Sequence, residues 1–317
     1  MTRRKIFFRA DAGAQIGYGH FIRTLALADM LRDDFDCTFF TQSPSEYQQR
    51  EAEEVCPLVA LPSDDSKFEE FIDCLKGEEF VVLDNYFYTS EYQKQIKEKG
   101  CKLVCIDDMH DKHYYADVVI NHGLIDKKLF DIESYTRLCL GLDYALLRKP
   151  FIQASSTVKN PNSWFISFGG TDYLNLTEKA LQAIHDDPRV DSITVVIGDA
   201  YKYIENLKNY PKATIEKNLT AEEMADVMCK AQYAILPSSS VCIEALACRC
   251  KVAAGFFVSN QQPYHDEWSR NGFILGLGNI AENIHSSIID QLSESSLYVQ
   301  VAFTNIVSKY IEIFKQL

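Results

Sequence analysis

Residues 5–32, KIFFRADAGAQIGYGHFIRTLALADMLR, decide how the chain is read. Lys5 to Arg9 is a short apolar run of the kind that forms a buried strand. Ala10 to Gly19 holds Gly13, Gly17 and Gly19, and a strand cannot easily continue through it. Phe21, Leu25, Ala28 and Leu31 then fall on one helical face. Strand, glycine loop and helix in this order bring free backbone N–H groups and a helix's positive end to an anion. His20 sits where the helix should start, and a positive helix end disfavours the charged imidazole. A candidate base therefore lies beside a phosphate seat at Gly17 and Gly19. The plainer alternative stays open: a strand-to-helix turn that needs glycine for its backbone, with His20 as a polar first-turn residue. The glycine spacing is not the dinucleotide fingerprint, and no Gly-Lys-Ser/Thr ending marks a P-loop.

With 317 residues, 47% of them hydrophobic and 24% charged, the chain suits two globular domains. The formal net charge of −13 argues against nucleic acid or an anionic membrane as partner. Local dipoles and a few arginines must then hold any anionic substrate. No apolar run reaches membrane-spanning length, and Arg3, Arg4 and Lys5 lead into a strand without a cleavage site. A soluble cytoplasmic protein is expected. The ten cysteines form no Cys-x-x-Cys pair and read as reduced, partly buried thiols.

Beyond the opening unit, strands are expected at Asp36 to Thr41, Val59 to Pro62, Phe80 to Leu83, Cys101 to Ile106 and Asp117 to Ile120. Helices at Ser45 to Val55, Ser66 to Leu75 and Ser90 to Lys99 alternate with them. Such alternation implies a parallel sheet covered on both faces, with ligands beyond the carboxyl ends of its strands. Polar residues gather at those ends: Arg9 and Asp11, Asp84 to Tyr86, Asp107 and Asp108, Asn121 and His122. The polar stretch QASSTVKNPNS at 153–163 marks a boundary, giving domains 1–150 and 151–317. A second series follows: a strand from Trp164 to Phe168, the turn Gly169-Gly170-Thr171-Asp172 and a helix from Asn175 to Ile184. Further strands are expected at Ser192 to Ile197, Thr214 to Glu216 and Tyr233 to Leu236, with an apolar run from Lys251 to Val258. Thr220 and Glu223 make a capping box between them. Two helical patterns finish the chain, the last from about Tyr298 to Phe314 and free to pack back on the first domain. The fold class is α/β: two Rossmann-like doubly wound domains, with a cleft expected between them.

In the second half, Gly169, Gly170 and Thr171 can line a diphosphate through backbone N–H groups. Ser238, Ser239 and Ser240 open a helix, cap it and offer donors to phosphate oxygens. Glu244, one turn in, can accept from two ribose hydroxyls. Plainer readings are a tight turn capped by Asp172 and a capped helix with an early acid. Asp107 and Asp108 with His110, His113 and His122 invite a metal reading, but adjacent carboxylates point apart in an extended chain. No metal site and no cofactor are expected. No nucleophilic triad can be fixed by spacing.

Phe8-Arg9-x-Asp11, Gln15-Ile16-Gly17-Tyr18-Gly19-His20, and Arg23 with Leu25 resemble the opening motif of a hydrolase family of pseudaminic acid biosynthesis. Members of that family release UDP from a diacetamido-trideoxy-altrose nucleotide. Asp84-x-Tyr86, Asp107-Asp108, Asn121, Tyr144 to Arg148, Gly169 to Asp172, Ser239 through Glu244 and Asn260-Gln261 carry the resemblance along nearly the whole chain. Proteins with spore-coat and other surface-sugar functions share the opening motif. The resemblance implies a glycosyltransferase-like fold of two Rossmann domains (GT-B) and an inverting, metal-independent hydrolysis at the anomeric carbon. It makes His20 catalytic, poising water for attack, with Tyr86 nearby. It sets Glu244 on the uridine ribose, the Gly170 and Ser239 turns near the diphosphate, and Asn260 and Gln261 toward diphosphate or sugar. Arg9, Asp11, Asp84 and Asn121 are the strand-end residues expected to bind substrate. The family's well-studied form has histidine where Asn85 stands. A UDP-sugar is thus the expected small-molecule partner. A glycosyltransferase using the same donor and a non-catalytic nucleotide-sugar-binding protein are the alternatives. The sequence leaves the oligomeric state open, and a monomer is compatible with it.

Overall fold

The computed structural model describes residues 3–13, 16–154, 158–282, 284–297, 303 and 305–317. Gln15 of the opening motif, residues 155–157 of the polar stretch and the expected helix start at Tyr298 lie outside them. The chain divides into two compact units, Met1–Lys149 with Thr304–Leu317, and Pro150–Phe303.

In the first unit the order is β1 (Lys5–Ala10), α1 (Gly19–Leu31), β2 (Asp36–Gln42), α2 (Glu46–Glu53), β3 (Leu58–Leu61) and α3 (Ser66–Asp73). Then come β4 (Phe80–Asp84), α4 (Ser90–Glu98), β5 (Lys102–Ile106), β6 (His113–Tyr114), β7 (Val118–Asn121), β8 (Asp131–Ile132) and β9 (Arg137–Leu140). Seven strands form one parallel sheet in the order β3-β2-β1-β4-β5-β7-β9, while β6 and β8 pair separately. β4, FVVLD, is buried along its whole length, as a central parallel strand must be. α1 packs Phe21, Leu27 and Leu31 into the core with no exposed surface. Burying each such side chain contributes roughly 1.5–3 kcal/mol. The strand order reverses between β1 and β4, and at such a switch point the loops diverge to opposite faces and leave room for a ligand.

A one-turn helix, α5 (Lys149–Ile152), leads to the second unit: β10 (Asn160–Ile166), α6 (Leu176–Ile184), β11 (Ser192–Ile197), α7 (Ile204–Leu207), β12 (Ala213–Lys217) and α8 (Ala221–Lys230). It continues with β13 (Ala231–Pro237), α9 (Ser240–Ala247), β14 (Lys251–Phe256), α10 (Gln262–Arg270), β15 (Leu275–Asn279) and α11 (Ile288–Glu294). Its parallel sheet runs β12-β11-β10-β13-β14-β15, so its switch point lies between β10 and β13. The capping box of Thr220 and Glu223 is formed at the start of α8. The last helix, α12 (Ile306–Gln316), returns to the first unit. Its Phe314 meets Phe35 and Phe80 at 6.0 and 5.9 Å between ring centroids, and the Tyr310 hydroxyl donates to the Tyr144 carbonyl at 2.6 Å.

Besides the short pair β6 and β8, which was not expected, three strands depart from expectation. β9 and β15 extend the two sheets where no strand was expected. RLCL offers only three apolar residues after a charge, and LGLGN alternates leucine with glycine, which strands disfavour, so neither reads clearly as a strand. β10 starts at Asn160, inside the stretch read as linker; Asn160 and Pro161 are exposed, and its pairing with β13 shifts register before Trp164.

Candidate active site

The β1–α1 turn begins with a hairpin-like clasp in which Gly17 N–H donates to the Gly13 carbonyl at 2.7 Å. Gly17 has φ +80°, open to glycine at no cost. α1 follows with no side-chain cap on its first N–H groups, since Tyr18 stands at the cap position, and with no acid in its first turn. Its positive end is therefore uncompensated, and His20 is its second residue.

His20 is 5% exposed. Its Nδ1 lies 2.7 Å from Asp84 Oδ1, at the end of β4. A carboxylate oxygen and a ring nitrogen at that distance need a proton between them, so Nδ1 is assigned as the donor and Nε2 keeps the lone pair. Among the described residues Nε2 makes no hydrogen bond, and it retains access to solvent. Asp84 is almost fully buried and held from every side. Arg23 Nε and Nη2 each donate to it at 2.6 Å, and Thr24 Oγ1 donates at 2.9 Å. Burial alone would raise the Asp84 carboxyl, but the Arg23 guanidinium first and His20 second hold it below the usual carboxylate range. Arg23 also donates through Nη1 to Asp108 Oδ1 at 2.6 Å, and the Tyr86 hydroxyl donates to Asp108 Oδ2 at 3.0 Å. The Tyr86 ring returns to His20 edge-on, 4.5 Å between centroids, and is 43% exposed. His20, Asp84, Arg23, Asp108 and Tyr86 thus close a ring at the switch point. A cavity of about 20 Å³ among Arg23, Asp84, Tyr86 and Asp108 has room for one water and none for a sugar.

Four strand-end residues expected to bind substrate are buried and paired within the protein. Arg9 and Asp11 have no exposed surface and pair with each other, Arg9 Nη2 donating to Asp11 Oδ2 at 2.9 Å. Asp11 Oδ1 also accepts from Gln42 N–H at 2.7 Å, so the pair fastens β1 to β2. A buried guanidinium needs such a partner, because an unpaired charge there is costly. Asn121 is fully buried, accepting from the N–H groups of Gly123 and Leu124. Asp84 orients His20 instead of facing outward. Asn85 forms a two-way clasp: its Oδ1 accepts from Asp11 N–H at 2.7 Å and its Nδ2 donates to the Asp11 carbonyl at 3.2 Å. Arg23 was visible only as part of a motif. Its signal was the three-residue spacing from His20, which puts both on one helix face. Asp107 is occupied by Met109 and His110 N–H, Asn121 and the Tyr114 hydroxyl. Among the described residues no group of three or more His, Cys, Asp or Glu side chains is placed to hold a metal ion.

The second unit's switch point is built differently. Gly169, with φ +82°, Gly170 and Thr171 are exposed after β10. Asp172 is buried and caps α6, accepting from Leu176 and Thr177 N–H at 2.8 Å each. The start of α6 is thereby filled. At α9 no side chain caps the first N–H groups and no acid stands in the first turn. Ser238 is fully buried, its Oγ without a partner among the described residues, so only Ser239 and Ser240 keep exposed surface. The serines therefore leave the helix start open, contrary to the expected side-chain cap. Glu244 lies one turn along α9 and is largely buried. Asn260 and Gln261 form a 3-10 turn after β14, where Gln261 Oε1 accepts from Phe257 N–H at 3.2 Å. β14 neighbours β13, so this turn is next along the same sheet edge.

No protein-family model matches the sequence. The chain is 28% identical over 280 residues to the UDP-2,4-diacetamido-2,4,6-trideoxy-beta-L-altropyranose hydrolase of Campylobacter jejuni, covering 85% of this chain and 97% of that one. It is 25% identical over 281 residues to the spore coat polysaccharide biosynthesis protein SpsG of Bacillus subtilis, covering 85% and 82%. Anabaena Alr3699/HepE, solved in complex with UDP-glucose, superposes with a TM-score of 0.61 at 11% identity, over 99% of this chain and 100% of that one. In sequence the chain resembles this hydrolase and SpsG, and in fold it is of the two-Rossmann-domain GT-B glycosyltransferase type.

Proposed function

We propose that the protein hydrolyses a UDP-activated amino or deoxy sugar at its anomeric carbon, without a metal ion, in nonulosonic acid or related surface-glycan synthesis. The observation that carries this reading is the Asp84-oriented His20 at the open start of α1, in a chain similar to a UDP-sugar hydrolase over nearly that enzyme's full length. His20 Nε2 takes a proton from water as its oxygen bonds to the anomeric carbon. The bond from that carbon to the diphosphate oxygen breaks, and UDP leaves with the electron pair. Asp84 holds the ring in the tautomer this needs and stabilises the imidazolium that forms. The Tyr86 ring supports the imidazole, and its exposed face borders the sugar.

On the second unit, the exposed Gly169–Thr171 turn and the uncapped N–H groups of α9 receive the diphosphate, with Ser239 and Ser240 as side-chain donors. These donors bind the leaving group more tightly as charge develops on it, so they favour the transition state over the ground state. Glu244 accepts from the ribose hydroxyls, and Asn260 with Gln261 faces the diphosphate or the sugar. Arg9, Asp11 and Asn121 shape the loops without touching substrate. The ten free cysteines suit the reducing cytoplasm.

Incubating the protein with UDP-2,4-diacetamido-2,4,6-trideoxy-β-L-altropyranose and a panel of other UDP-sugars, with no acceptor, tests this. Equal amounts of UDP and free sugar are expected. Turnover only after an acceptor alcohol is added would make the protein a transferase, and binding without turnover a sensor. Replacing His20 with Asn should lower turnover about 10²–10⁴-fold and leave UDP affinity unchanged; full activity in that variant would overturn the role given to His20.

A further inference from the structure

The buried charges around His20 do not sum to zero. Asp84 from β4 and Arg23 from α1 touch the ring, and Tyr86 from the turn after β4 lies against it. Asp108, after β5, grips the far side of the guanidinium and the Tyr86 hydroxyl. His122, after β7, faces the same cluster and is neutral, because burial and then Arg23 push it down to about 4. Lys112 donates to the Tyr86 carbonyl at 3.0 Å from the rim and is balanced by Asp111 at 3.4 Å. Among the groups bonded to one another around His20, two carboxylates and one guanidinium leave one negative charge in excess while His20 is neutral; Asp107, which lines the same cavity, is held by the N–H groups of Met109 and His110, Asn121 and the Tyr114 hydroxyl. Protonating Nε2 brings the cluster to zero.

A dyad alone would need only Asp84. Arg23, bidentate on Asp84, cancels the charge that should stabilise an imidazolium, and its own Nη2 stands 3.1 Å from the ring. Fixing the carboxylate with a guanidinium therefore weakens the base. A second carboxylate on the same guanidinium removes the conflict.

We propose that Asp108 is a positioning residue which, through Arg23, supplies the counter-charge that lets His20 accept a proton beside a bound guanidinium, and which anchors Tyr86 in the same contact. This rests on the reading of His20 as the proton acceptor. Asp108 touches no reacting atom; it sets the field in which His20 works and the position of the ring that supports it.

The test follows the His20 ring by NMR in the full-length protein, with its resonance assigned by loss in His20→Asn. Asp108→Asn, which keeps the shape and an acceptor for Arg23, should lower the His20 titration midpoint by about half a pH unit. Arg23→Gln, which removes the positive charge, should raise it by about one unit, and Arg23→Lys should return it toward the native value. Asp108→Ser reads the same charge should Asp108→Asn fail to fold. With a hydrolysed UDP-sugar, Asp108→Asn should lower kcat about two- to threefold, leave KM unchanged and move the acid limb of the rate profile down. An unmoved or raised midpoint in the Asp108 variants overturns the proposal, even with His20→Asn inactive. Conversely, midpoints that move as expected while His20→Asn keeps full turnover would refute the proton-acceptor reading and leave the charge arrangement standing.

Discussion

At the edge between β1 and β4 the chain places His20, Asp84, Arg23 and Asp108, all buried, ionisable and bonded to one another. At the matching edge between β10 and β13 it places two glycines, two half-exposed serines and an uncapped helix start. Both edges come from the same topology, a doubly wound sheet whose order reverses after its third strand and resumes beside its first. The difference lies in what each edge must resist. A proton-transfer group needs a fixed orientation and a set field, which buried charges provide when each is paired. A diphosphate needs many weak donors free until it arrives, which neutral backbone N–H groups provide at little desolvation cost.

If the first edge does the chemistry and the second holds the nucleotide, their variants should fail in different ways. The largest effect is expected for Asp84→Asn. The Nδ1 donor loses its ionised acceptor, and turnover should fall about 10²–10⁴-fold while UDP binding, followed by calorimetry, is unchanged. Weaker UDP binding in that variant would erase the distinction. Gly198→Ala probes the second edge. A Cβ there would stand 2.5 Å from the Gly170 Cα and 2.7 Å from its carbonyl oxygen, displacing the exposed turn. Displacing the turn removes hydrogen bonds to a charged group, each contributing about 1.5–3 kcal/mol, so UDP affinity should fall about 10- to 100-fold with kcat at saturation nearly preserved.

A smaller effect sharpens the contrast in stability. His122 is depressed to about 4 in the fold, by burial first and then Arg23, against about 6.5 for an unfolded chain. Between those values the unfolded state binds the extra proton, so stability rises with pH through the window and is lost as pH falls from 6.5 toward 4. At pH 5 this one ring should cost ~2 kcal/mol relative to pH 7. His122→Gln should remove that part of the slope in urea unfolding measured at both pH values. An unchanged slope would show that the ring does not titrate with folding.

The alternation of strands and helices, the glycine loop and the place of His20 at a helix start were all legible, because each depends on residues near in sequence. Asp84 was legible as a strand-end acid but not as the orienter of His20, since 64 residues separate them and only sheet order brings them together. Arg9 and Asp11 look like ligand contacts in the sequence, where nothing shows that they pair with each other and are buried. A charged pair at a strand end reads as exposed until the sheet and neighbouring backbone close over it. The strand LGLGN was illegible because its neighbour β14, and not its own composition, makes it a strand.

The return of α12 to the first unit has a consequence for synthesis. Tyr310 and Phe314 have no exposed surface, so the opening half cannot seal its interior until α12, made after the whole second unit, has left the ribosome. The later-made half is complete before the earlier-made one. Damage to α12 would accordingly be felt first in the part that was translated first.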